Sequence, residues 1–316
     1  MSTDRPVLGI LLMLGFCIMA PLGDAIAKLL GGRVGLAELL FIRFLIQAVV
    51  LVPLVAGSGR PWRMTGKTWR LAWLRTGLHM AGIGAMFTAL RFMPLADAVA
   101  IAFVMPFIML LLGRWFLGEE VGPRRLAACA VGFVGTLMVI QPSFAEVGLY
   151  ALLPLAVAVI FAFFMLTTRF IARDTDPIGL QAVNGVMGVA LLAPWILLVH
   201  GAGLADHASL VHLPADTHLL LLGIGLIGTS AHLLMTWSLR FAPSATLAPM
   251  QYLEIPMATV VGLLVFGDLP DGLAMVGITI TMGAGLYVVM REQAEQRRSR
   301  RLSAAEASAL MDEPAP

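Results

Sequence analysis

Glu254 carries the sharpest chemical signal in this chain. It stands mid-way along an apolar stretch from 243 to 266, about 18 Å from either end at 1.5 Å per residue, too deep for a glutamate to snorkel to the interface. A charge at such depth costs on the order of 2.5 to 3.5 kcal/mol on insertion scales, so it must face protein or water. Pro256 follows two residues later and Pro249 lies one turn earlier; each removes a backbone donor, which predicts a helix kinked or unwound around the carboxylate. Freed carbonyls and a titratable acid then share one cavity, an arrangement suited to a proton-binding group that alternates between two sides, with a structural ion pair as the alternative. Gln251 and Tyr252 add hydrogen bonding and an aromatic surface, and Gln181 and Asn184 offer the same polarity from another stretch.

Arg43 is the second deep charge, eight residues into an apolar stretch. Its guanidinium can pair with Glu254 or hold a substrate carboxylate or phosphate; the competing reading is a snorkelling arginine served by Glu38 or backbone carbonyls. Asp24 and Lys28, four apart, share one helix face and are read as a structural acid-base pair. Arg75 and Asp97 lie close enough to span ends to snorkel. His79 and His232 are expected to be separate hydrogen-bonded packing residues, Trp237, Phe103 and Phe107 to be packing, and the 19 methionines mostly soft filler that hints at breadth of substrate. No HxxxH or HExxH pair, Walker loop or GxSxG occurs, so neither a metal, a cofactor nor an enzyme activity is expected.

The elements that must position these residues are membrane helices. Of 316 residues 59% are hydrophobic and 13% charged, with a mean hydropathy of +0.90, against roughly one-quarter charged in a soluble domain. Ten windows of spanning length can be drawn: 7–30, 36–55, 71–92, 95–117, 124–141, 147–171, 177–200, 217–239, 243–266 and 272–290, punctuated by Pro94, Gly122-Pro123, Pro142, Pro177, Pro243 and Pro270-Asp271-Gly272. With the N-terminus inside, sixteen of the 21 basic residues fall in cytoplasmic segments, which puts both termini on the cytoplasmic side of the inner membrane. The arginines at 297, 298, 300 and 301 then act as a topology signal, not a nucleic-acid footprint, and residues 291–316 read as a mobile cytoplasmic tail. Ala25-Ile26-Ala27 has the look of a cleavage site, but the long first stretch is read as a retained helix. Cys17 and Cys129 sit in apolar stretches and suggest no disulfide.

Residues 90–96 read Leu-Arg-Phe-Met-Pro-Leu-Ala and residues 239–245 read Leu-Arg-Phe-Ala-Pro-Ser-Ala, five identities in seven at an offset of 149. Each copy is followed by a proline deep in the next helix, Pro106 and Pro256, and by a Gly-acid helix end, Gly118-Glu119 and Gly267-Asp268. Five spans per half make the second half enter the membrane in the opposite sense, so the fold expected is all-α, ten transmembrane helices in two inverted five-helix repeats, 7–141 and 147–290. Pro106, Pro249 and Pro256 are the candidate helix breaks or gates; Glu254, Gln251, Tyr252, Arg43, Asn184 and Gln181 are the candidate substrate- or proton-binding residues.

These segments, with Leu247-Ala-Pro-Met-Gln-Tyr-Leu-Glu-Ile-Pro256, resemble the drug/metabolite transporter superfamily in its EamA-type group over residues 8 to 290. The first helix has Met19-Ala-Pro-Leu-Gly-Asp24 where many members have a Trp-Gly pair. The resemblance implies a secondary transporter working by alternating access on a small metabolite such as an amino acid, a vitamin or a related amphipathic compound, with proton coupling left open. An uncoupled facilitator or exchanger of the same fold is the alternative, and an integral-membrane enzyme a remote one. The partners implied are the metabolite and the lipid bilayer, with no nucleic acid and a homodimer left open.

Overall fold

A computed structural model of the chain describes residues 5–59, 64–117, 123–172, 175–202, 213–242, 247–284, 286–287, 290–291 and 294. Along them run α1 (Pro6–Leu30), α2 (Leu36–Gly57), α3 (Gly66–Ala89), α4 (Leu95–Ala102), α5 (Met105–Leu117), α6 (Pro123–Val147), α7 (Leu153–Ala172), α8 (Pro177–Gly201), α9 (Ala215–Phe241), α10 (Glu254–Phe266) and α11 (Gly272–Ala284). Two 3-10 turns, Gly148–Leu152 and Ala248–Leu253, lead into α7 and α10. Among these residues six helical stretches are long and apolar enough to cross a membrane: Val7–Leu30, Leu36–Gly57, Leu95–Phe116, Phe144–Ala172, Pro177–Val199 and Ala215–Phe241. Ala130–Val139, Met250–Phe266 and Gly272–Ala284 are shorter apolar helices. Helix after helix satisfies its own backbone, as lipid demands. The Gly118-Glu119 end, the Pro243 turn and nearly all of the expected tail lie outside the described residues.

Local chemistry explains where helices stop. The expected span 95–117 is in fact two helices: α4 ends at Ala102 and α5 begins at Met105, with Phe103 and Val104 between. Pro106 is the cause, because a proline lacks an N–H and its ring excludes a helical carbonyl four residues back, here that of Ala102. Pro256 acts on Tyr252 in the same way: the chain is 3-10 through Leu253 and becomes α-helical only at Glu254, leaving Pro256 in a first turn, where no N–H is needed. Pro142, expected between spans, lies inside α6 instead. At the other end of α10, Gly267 adopts φ 71°, a left-handed cap open to glycine, and the N–H groups of Gly267 and Asp268 close on Leu263 and Gly262.

The helices pack as antiparallel pairs. Gly9, Gly15 and Gly23 of α1 meet Ala242, Leu234 and Ile227 along α9; Gly82 of α3 meets Phe161 of α7; and Gly185 and Gly188 of α8 meet Ala48 and Phe44 of α2. α4 lies against α10, with Leu95 near Gly262 and Phe103 near Tyr252, so the two interrupted helices bring their breaks together. α6 and α11 touch backbone to backbone: a β-carbon on Gly135 would stand 2.7 Å from the Gly277 carbonyl oxygen, and the Thr281 hydroxyl donates to the Gly132 carbonyl at 3.3 Å. Small residues at such crossings are what lets helices associate in lipid.

The α2–α8 crossing supplies a direct check. A β-carbon on Gly185 would stand 2.9 Å from the Ala48 backbone nitrogen, so the crossing has no room for a side chain there. G185A is expected to cost about 1–3 kcal/mol, read as a lowered thermal midpoint of the detergent-purified protein. V49A, at a position 63% exposed on the neighbouring face, is expected to stay within about 0.5 kcal/mol of wild type.

Candidate functional site

Four charged or titratable side chains converge where α1, α2, α9 and α10 meet. Asp24, Arg43, His232 and Glu254 line one cavity of ≈ 90 Å³, walled by Phe16, Phe87, Phe103 and Phe161 with Met19, Met86, Met105 and Met165. Glu254 reaches it because the 3-10 turn before α10 ends there, and as a first-turn acid it also faces the positive end of a helix dipole. Asp24 interacts electrostatically with both Arg43 and Glu254. Two carboxylates beside one guanidinium and an imidazole, in an aromatic and thioether enclosure, can bind a small ligand carrying polar groups and can hold a proton.

Arg43 is buried and seated on α9. Its Nη2 lies 3.2 Å from His232 Nδ1, its guanidinium carbon 5.8 Å from the Phe87 ring centre, and a β-carbon on Gly228 would stand 2.5 Å from that carbon. His232 Nδ1 is also 3.0 Å from the Gly228 carbonyl oxygen. An arginine only donates, so Nδ1 either accepts from Arg43 or donates to Gly228, never both at once. The His232 tautomer is therefore tied to the position of Arg43, and Nε2 of His232 and Nε of Arg43 have no hydrogen-bond partner among the described residues.

A second polar cluster adjoins this one. Arg75, fully buried, donates from Nε to Thr168 Oγ1 at 2.8 Å, from Nη1 to Asn184 Oδ1 at 2.9 Å and from Nη2 to Thr236 Oγ1 at 3.4 Å, with the Phe164 ring centre 4.6 Å from its carbon. Gln181 donates to Thr236 Oγ1 at 2.8 Å and to the His232 carbonyl at 2.9 Å, and Gln47 donates to the Gln181 carbonyl at 2.6 Å. His79 joins the clusters, with Nδ1 3.1 Å from Asn184 Nδ2 and its ring centre 4.2 Å from that of His232.

Of the residues singled out in the sequence, Glu254 and Arg43 meet at the cavity, whereas Asn184 and Gln181 belong to the Arg75 cluster. Gln251 is buried with its amide 3.2 Å from Met165 Sδ, and Tyr252 packs on Phe103 and Phe107, behind the cavity wall. Phe103, expected only to pack, forms part of that wall. Pro256 sits half-buried in the first turn of α10; the side chains of Pro106 and Pro249 lie outside the described residues, though the backbone breaks beside both are described. Three expectations are corrected. Lys28 pairs with Asp268 at 2.8 Å, not with Asp24, because Gly267 turns that aspartate back towards α1. Arg75 does not snorkel, since α7, α8 and α9 give it oxygens at depth, and Asp97 is buried as well. His79 and His232 are one pair, not two separate packing residues. A sequence signal existed for them: Arg75 and His79, like Gly228, His232 and Thr236, repeat at four-residue spacing and so mark single polar faces of α3 and α9.

Gly228 gives the arrangement a test in stability. G228A is expected to expel the Arg43 guanidinium and cost about 1–3 kcal/mol. In an R43A background, with the obstructed group gone, the same change is expected to be near neutral. Thermal midpoints of the four detergent-purified proteins measure this non-additivity.

The comparisons with known proteins agree with this picture. The model of the EamA-like transporter family matches residues 7–141 and, separately, residues 148–291. A riboflavin transporter of Rhizobium johnstonii is 29% identical over 71% of this chain and 71% of its own length. An S-adenosylmethionine uptake transporter of Rickettsia felis is 23% identical over 87% of this chain and 90% of its own, and a pseudopaline exporter of Pseudomonas aeruginosa 24% identical over 86% and 90%. A solved protein crystal structure 18% identical in sequence superposes with a TM-score of 0.64, covering 92% of this chain and 97% of its own, which shows a shared fold. These relatives are named as transporters, not enzymes, and the matches cover both halves of a multi-pass helical chain: the protein belongs to the EamA-like transporter family of the drug/metabolite transporter superfamily.

Proposed function

We propose that this chain is a secondary transporter in which two inverted five-helix repeats, 7–141 and 147–290, rock around the Asp24–Arg43–His232–Glu254 cavity and carry a small metabolite across the inner membrane. The observation that carries the reading is the cavity itself, lined by charged groups and built jointly by helices of both segments that the family model matches. Support for the inverted repeat comes from the pairing of helices. Exchanging the halves turns α1–α9 into α7–α3 and returns α2–α8 and α6–α11 to themselves, and each of these pairs is antiparallel, as a two-fold axis in the membrane plane requires. The repeated Leu-Arg-Phe segment does the same work twice. Arg91 donates to the Val34 carbonyl in the α1–α2 connection at 3.1 Å, and Arg240 to the Thr175 carbonyl in the α7–α8 connection at 3.0 Å.

At ≈ 90 Å³ the cavity holds several waters but falls well below the roughly 300–1,000 Å³ of sites for drug-sized ligands. Loading therefore requires the halves to part, and the helix breaks at α4–α5 and before α10, where α-helical bonding gives way to shorter three-residue bonds, stand beside the cavity. The basic residues orient both chain ends towards the cytoplasm. Substrates of the kind the relatives are named for, vitamins and amino-acid-derived metabolites, suit an aromatic cavity with charges of both signs. Glu254 is the proton-binding group in this reading.

Cells carrying wild type, E254Q or no transporter, compared by untargeted metabolite profiling of cells and medium, test it. One or more compounds are expected to shift with wild type alone, the E254Q protein being present at equal folded level. In proteoliposomes an imposed pH gradient is expected to drive wild type and not E254Q. Transport by both that ignores the gradient would make the protein an uncoupled facilitator, and no compound shifting across broad growth conditions would remove the carrier reading.

A further inference from the structure

Arg75 is a buried charged group that does not line the cavity. It is fully buried, and its partners among the described residues are neutral: Thr168, Asn184 and Thr236, one each from α7, α8 and α9. An apolar side chain of similar volume would fill this space without removing a charge from water, so packing does not account for it. Intramembrane charges without an acid partner mark ligand paths. The position fits one. Nine residues from the start of α3, Arg75 lies one turn closer than His79 to the face on which the chain begins, and Arg43, His232, His79, Asn184 and Arg75 form a continuous polar row leading from the cavity towards that face.

We infer that Arg75 is a second binding station on the path, one that takes the carboxylate or phosphate group of the cargo when the halves part on the face where the chain begins. This rests on the transporter reading. A guanidinium bonds an anionic oxygen more strongly than a hydroxyl or amide oxygen, in a bidentate geometry if the anion is planar. Release of the present partners leaves few groups stranded. The Thr168 and Thr236 hydroxyls already donate to the Phe164 and His232 carbonyls at 2.7 Å each, and Asn184 retains Thr76 and His79. The unpartnered Nε2 atoms of His79 and His232 stand beside the route between the two stations.

The test uses right-side-out and everted vesicles carrying wild type, R75Q or R75K. The probes are riboflavin, riboflavin 5′-phosphate and S-adenosylmethionine, plus any compound the profiling identifies. R75Q is expected to raise KM for anion-bearing compounds about tenfold or more from the face where the chain begins, with less than about a threefold change from the other face and for compounds without an anion. R75K, which keeps a charge but not the planar fork, is expected to raise the same KM severalfold with kcat kept. It carries the test if R75Q is not recovered folded. Equal losses for all compounds, or equal losses from both faces, make Arg75 a structural tie and overturn the inference while the transporter stands. Wild type moving only compounds without an anion overturns it too, and wild type moving nothing removes the transporter reading itself.

Discussion

A charge at membrane depth must be met by oxygen, by an opposite charge or by water, and this protein is organised around two guanidiniums that obey that constraint differently. Arg43 has one acid, Asp24, within electrostatic reach, an imidazole at hydrogen-bond distance and a cavity beside it. Among the described residues Arg75 has neutral oxygens only, gathered from three helices. Together the two requirements draw α2 to α9 and α3 to α7, α8 and α9 in a way that apolar contact cannot, because in lipid an exposed leucine loses nothing by facing outward. The contrast is visible in α3. At 24 residues it is long enough to span yet is not among the six stretches of spanning hydropathy, and its polar side chains Arg75, Thr76 and His79 are turned inward.

Proline and glycine then decide where the backbone can yield and where it cannot. The interruptions at Phe103-Val104 and Ala248–Leu253 come from prolines that deny a carbonyl its helical donor, and they lie together at the wall of the cavity. Glycines do the opposite at Gly135–Gly277 and Gly185–Ala48, where removing a side chain allows backbones to meet. The helix breaks thus stand beside the charged cavity, and these two glycine crossings lie away from it. Towards the face opposite the chain's start, the Lys28–Asp268 and Arg33–Asp216 pairs tie α1 to the end of α10 and the α1–α2 connection to α9. Partly exposed pairs of this kind contribute little stability and part easily.

Much of this was legible from residue types. Hydropathy alone gave the lipid setting and ten candidate spans, of which six are long apolar helical stretches among the described residues, and it set Glu254 and Arg43 inside two of those candidates. The internal echo of Leu-Arg-Phe pointed to two like halves before any contact was known. What one-dimensional spacing could not give was choice of partner. Asp24 and Lys28 share a helix face, yet the left-handed Gly267 aims Asp268, 240 residues from Lys28 in sequence, at that lysine and leaves Asp24 to the cavity.

The sequence by itself determined the apolar setting, the helical class and the family, since these depend on composition, on local backbone chemistry and on residue motifs. Tertiary structure alone decided that Gln181 and Asn184 serve Arg75 and not Glu254, that two histidines from α3 and α9 form one pair, and that Gly228 is the seat of Arg43. The physical reason is the same in all three: hydrogen bonds reach only about 3 Å, so a polar group's role is set by which helix crosses beside it and at what height. That information resides in the packing of distant segments and in no single stretch of chain.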